Sequence, residues 1–251
     1  MLSANRKDHE IPIVTAPTVS ETPGRAQAAL ALAAVVPAPS LGLVAALYLW
    51  PDSAPGQLAY AGFKLWLLAL PVVWLLLVER RWPRLPRPSG RGMVAGVATG
   101  VMMFVVIVGA YALFGGWIDP GAMARQIEAV GLGTAPVFLL GALYWCTVNS
   151  ILEEYVWRWF VFTRCEALMP RVLAAVAAGF FFTVHHVIAL AFYFDWRVTL
   201  LGSLGVFIGG TTWSWLYLRW RNIYAAYVSH VFADLAVFGI GWYLVFGNGA
   251  A

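Results

Sequence analysis

Seven apolar stretches, each about 20 residues or longer, decide what this chain can become. A helix of about 20 residues spans the ~30 Å hydrocarbon core of a bilayer. Inside lipid every backbone polar group must be satisfied by the chain itself, which leaves helices and closed barrels. A barrel would read as short alternating segments, and none are visible. The residue balance agrees: 61% hydrophobic and 11% charged, with a mean hydropathy of +0.76, against roughly 25% charged residues in ordinary soluble domains. The expected fold is therefore all-α, a polytopic transmembrane bundle of about seven to eight spans with its active site buried between helices.

The spans are expected near Ala26–Trp50, Gln57–Val78, Gly92–Leu113, Thr134–Arg164, Val172–Phe194, Val198–Leu218 and Asn222–Phe246. Pro37 and Pro39 should kink the first. Residues 1–25 read as a flexible cytoplasmic tail. The loop 79–91 holds Arg80, Arg81, Arg84, Arg87 and Arg91 and should be cytoplasmic. With Arg164, Arg171, Arg219 and Arg221 it gives one consistent threading with the N-terminus inside. A multi-pass protein of the plasma membrane is expected, with membrane lipids as partners and no nucleic acid, since the net charge of +4 comes from residues flanking apolar runs. Lys64 should snorkel from the second span. Gly92, Gly96 and Gly100 mark a seam for close helix approach, and Gly205 with Gly209 a second. Cys146 and Cys165 do not suggest a disulfide framework.

Three spans carry polar residues that lipid does not tolerate cheaply. Strongly charged residues near a bilayer centre cost ~2.5–3.5 kcal/mol each on insertion scales, yet Glu153, Glu154 and Arg158 share one run. His185 and His186 lie in the next run, and His230 with Asp234 in the last. At ~1.5 Å rise per residue, all three sets can meet near mid-bilayer. Glu154 and Arg158 are four apart and able to pair. Glu153 points ~100° away, without an intrahelical cation, as a general base requires. His230 and Asp234 share a face, so Asp234 could orient the imidazole or ligate a metal. Each set alone also has a bland reading, as an ion pair or a hydrogen-bonded histidine between helices. The Trp-rich sixth run (Trp213, Trp215) reads as packing. The zinc-protease signature His-Glu-x-x-His and the Gly-x-Ser-x-Gly elbow are absent from the sequence.

These residues resemble the CPBP intramembrane protease family, which groups type II CAAX prenyl endopeptidases with relatives linked to bacteriocin processing or immunity. The motif Glu-Glu-x-x-x-Arg stands as Glu153 to Arg158, Phe-x-x-x-His as Phe182 to His186, and His-x-x-x-Asn as His230 to Asp234, with aspartate replacing asparagine. The second motif also fits one residue earlier, Phe181 to His185. The resemblance implies a catalytic core over 134–246, preceded by N-terminal transmembrane helices over 26–133. It implies hydrolysis of a peptide bond in a membrane-associated peptide or protein. Glu153 would activate water, helped by His186 (or His185), with or without a divalent metal such as zinc. His230 and Asp234 would complete the metal site or stabilise the oxyanion, and Glu154–Arg158 would hold the acidic helix. Peptide or lipid binding without catalysis, and a transporter with an intramembrane charge relay, are the competing readings.

Overall fold

Polar caps and prolines cut the apolar runs into helices where the spacing expects them. The structure, a computed structural model, describes residues 24–247; the tail expected over 1–25 lies outside it but for its last two residues. Helix α1 covers Arg25–Leu49, α2 Ala54–Leu77, α3 Gly90–Trp117, α5 Ala135–Leu168, α6 Arg171–Tyr193 and α8 Tyr224–Gly247. Between them, α4 (Pro120–Ala129) is short, and α7 spans Trp196–Trp220. The hydroxyls of Ser53 and Ser89 accept from the amides of Gly56 and Gly92, capping α2 and α3. Asp119 and Asp195 do the same for α4 and α7. In α1 the expected break falls at Pro37, after Val35, and the helix resumes at Ala38.

The span count differs from the expectation. Among the described residues six helices are long and apolar enough to cross a membrane. The sixth expected run, α7, has the length at 25 residues but is diluted by glycine, serine, threonine and tryptophan. It earns its place by packing, folded back along α6.

Helix α5 occupies the middle, in contact with α1, α2, α6, α7 and α8. Its Val156, Trp157, Phe160, Val161 and Phe162 are buried almost completely, beside Phe182 of α6 and Leu216 of α7. Most other large apolar side chains point outward: Val94, Val105 and Val106 of α3 are each more than 60% exposed, as a lipid-facing surface requires. Helix α5 is irregular. It widens into π-helical turns at Trp145–Asn149 and Tyr155–Phe162, and the five α-helical residues Ser150–Glu154 lie between them. Such bulges recur at functional sites.

Small residues fix two contacts. A Cβ on Gly96 would stand 2.4 Å from the Ala225 carbonyl oxygen, and one on Gly100 would meet Phe232 and Ser229, so the glycine face of α3 is where α8 lies. The second seam is not Gly205 and Gly209. Gly205 faces open space and Gly209 meets only Trp213 of its own helix. The close approach uses Gly210 of α7 against Gly179 of α6, whose added Cβ atoms would strike Phe182 and Thr211. One helix's sequence shows its small residues, but its partner decides which are used.

The basic clusters gather at one end of the bundle. Arg81 and Arg164 both pair with Glu79, and Arg221 grips Glu166 with two bonds of 2.6 and 2.7 Å. Arg171 approaches the same carboxylate at 3.5 Å. Cys146 and Cys165 are both free and buried.

Candidate functional site

The polar intruders of α5, α6 and α8 meet, and they sort into two sides of α5. On one side Glu154 and Arg158 are fully buried and 3.2 Å apart, Nε to Oε2. That contact is too poorly aligned for a hydrogen bond. Arg158 Nη2 donates to the Gly210 carbonyl at 3.2 Å. Its guanidinium also lies over the rings of Phe182 and Trp213, 4.7 and 5.2 Å from their centroids. Glu154 Oε1 accepts from His230 Nδ1 at 2.9 Å. The Glu154 carboxylate therefore orients this imidazole. Asp234, expected as a possible orienter, is 3.6 Å from Nε2, outside hydrogen-bond distance. The indole of Trp213 stacks on His230 at 3.9 Å between centroids, 19° between planes. Its Nε1 donates to Ser229 at 3.1 Å. Trp213, read from sequence as packing alone, is thus part of the site.

Glu153, one residue along, faces the other way. Its Oε1 accepts from Asn149 Nδ2 at 2.8 Å, and Asn149 Oδ1 accepts from Lys64 Nζ at 2.8 Å. Lys64 does not snorkel outward; it turns inward across α2. Nor is Glu153 left without partners, since His230 Nε2 is also 3.7 Å from its Oε2. Of these, Asn149 was legible in sequence: it stands four residues before Glu153, inside an apolar run.

Across from Glu153 stand the two histidines of α6. His186 Nδ1 and the Phe182 carbonyl are 2.9 Å apart. A carbonyl only accepts, so Nδ1 carries the proton and Nε2 is left with its lone pair. His185 stacks on Trp157 at 5.3 Å and 10°, and its buried Nδ1 has no hydrogen-bond partner. One ligand atom each from Glu153, His185 and His186 lie within 4.8 Å of one another. They border a cavity of about 200 Å³ between α1, α2, α5 and α6, lined also by Tyr60, Lys64 and Asn149.

Two imidazoles and a carboxylate are a donor set used by catalytic zinc, with the cavity leaving room for a fourth ligand. The unpartnered Nδ1 of His185 fits such a group. This trio differs from the set expected from sequence, His186 with His230 and Asp234. The Nδ1 of His230 is held by Glu154, which leaves its Nε2 free, 3.7 Å from Glu153 and 3.6 Å from Asp234. Asp234 is 2.6 Å from the Ser150 hydroxyl, whose single proton is shared with the Trp145 carbonyl at 2.7 Å. Both motif histidines of α6 reach the cavity, so the spacing ambiguity of the second motif corresponds to two neighbouring rings.

Residues 134–236 match the model of the Rce1-like family, described as type II CAAX prenyl endopeptidase Rce1-like. The match covers α5 through most of α8 and supports the family read from the three motifs. No curated protein and no solved structure matches the chain.

Proposed function

We propose that this membrane protein, whose residues 134–236 carry the Rce1-like match, is an intramembrane endopeptidase in which Glu153 activates the attacking water. The observation that carries this reading is the convergence of Glu153, His185 and His186 on a cavity inside an apolar bundle. Glu153 takes a proton from water, the resulting hydroxide adds to the scissile carbonyl, and Glu153 returns the proton to the departing amine. His186, locked by the Phe182 carbonyl, keeps Nε2 aimed at the reacting region. His230 and Asp234 close the site behind Glu153, and Glu154–Arg158 fixes the turn from which Glu153 projects. His185 and His186, beside Glu153, would hold a divalent ion such as zinc; when bound, it would supply a Lewis acid for the carbonyl and acidify water. The substrate is a membrane-associated peptide or protein, the Arg-rich end faces the cytoplasm with the N-terminus, and the plasma membrane is the expected location.

The test is a cleavage assay on the full chain in detergent, against membrane-associated peptides with and without a prenylated C-terminal cysteine. Wild type should cleave and Glu153→Gln should not; full activity in Glu153→Gln removes the proposal. Metal content sharpens it. Near-stoichiometric zinc should disappear in His185→Ala and His186→Ala and persist in His230→Ala.

A further inference from the structure

We infer that Lys64 and Asn149 form a positioning relay for the Glu153 carboxylate, reaching it from a helix that lies outside the family match. Two hydrogen bonds of 2.8 Å connect Lys64 Nζ to Asn149 Oδ1 and Asn149 Nδ2 to Glu153 Oε1. Their direction is unambiguous. An ammonium group only donates and an ionised carboxylate only accepts, so the amide has its oxygen toward Lys64 and its nitrogen toward Glu153. The usual uncertainty over an asparagine's orientation does not arise, because both neighbours demand the same one.

The arrangement has two physical effects. Oε1 is held by Asn149, so the carboxylate plane is set and Oε2 is the oxygen left to act. The lysine charge also polarises the amide and strengthens its bond to the carboxylate, as hydrogen bonds in series do in a low-dielectric interior. Lys64 borders the cavity together with Asn149 and Glu153, and among the described residues no carboxylate lies within ion-pair distance of it. A lysine at a membrane helix surface can extend to the headgroups at little cost. This one spends its reach on a neutral amide four residues before the acidic pair. The first and second halves of the chain are thereby joined: α2 supplies the cation, α5 the amide and the carboxylate.

The claim that this relay serves catalysis rests on the reading of Glu153 as the water-activating group, but the positioning itself can be read without turnover. The carboxylate stretch of Glu153 is isolated by infrared difference spectra of wild type against Glu153→Gln, using the full chain in detergent. Asn149→Ala should shift that band, Lys64→Met should shift it in the same direction by less, and Lys64→Met should do nothing further in the Asn149→Ala background. In the cleavage assay each single variant should lower kcat by about tenfold with KM nearly unchanged, since a charge-assisted bond is lost. The double variant should be no worse than Asn149→Ala alone. Lys64→Arg, which keeps charge and donors, should recover part of the loss, and Lys64→Gln less; both guard against a folding defect in Lys64→Met. Additive losses, or an unmoved Glu153 band in Lys64→Met, would overturn the relay. Band shifts as described in a protein that cleaves nothing would keep the relay and remove the peptidase reading.

Discussion

Glu153 and Glu154 are neighbours in the chain and opposites in the molecule. Glu154 is sealed between Arg158 and His230 with no exposure, and both its oxygens face fixed cations or donors. Glu153 borders a cavity, with one oxygen held by an asparagine and two histidines opposite. A rotation of ~100° about one helix separates a carboxylate sealed among fixed partners from one that faces a cavity. The contrast assigns roles that composition alone cannot, because the two residues are chemically identical.

The sharpest way to break that contrast is to remove each charge in turn. Glu153→Gln should lower cleavage by on the order of 10²–10⁴, the range of a lost general base, while unfolding stability falls by about 1 kcal/mol at most, because the glutamine carbonyl can still accept from Asn149. On the sealed side the signs reverse. Arg158→Met strands Glu154 in the interior, which costs about 3–5 kcal/mol for an orphaned buried charge, measurable by unfolding in a denaturing detergent. If Arg158→Met were harmless and Glu153→Gln unfolded the protein, the division of labour would be wrong. A smaller effect probes the frame that holds α8, and thus His230, against α5. Gly96→Val should cost roughly 1–3 kcal/mol by overpacking, whereas Gly205→Ala, in open space, should stay within about 0.5 kcal/mol.

What the sequence made legible depends on one helix at a time. The apolar runs, the Pro37 break, the Glu154–Arg158 pair and the Gly92–Gly96–Gly100 face all follow from local spacing. What it hid depends on how helices are placed beside one another. Lys64 looked like a snorkelling lysine because hydropathy says nothing about which way α2 is turned. The α6–α7 contact moved from Gly205 and Gly209 to Gly210 for the same reason. That Glu154 orients the His230 ring through Nδ1 also needed the folded bundle, since the two residues lie on different helices. The sixth expected run, α7, lost its standing as an apolar span yet kept its place, because burial against α6 substitutes for lipid affinity.

The π-helical turns on either side of Ser150–Glu154 give α5 a property that a regular helix of the same length lacks. Each widened turn accommodates an extra residue, and one residue is worth ~100° of azimuth. The short segment bearing the carboxylates is therefore out of phase with the helix above and below it. The outer stretches can keep their apolar stripes aligned with lipid and neighbours, while the central five residues present their own compass bearing to the interior. Deleting Ile151 alone, in the regular segment between the bulges, would leave the composition almost unchanged and swing the carboxylates by ~100° relative to the stretch before them. The proposed chemistry would be lost by rotation, with every polar group still in the chain.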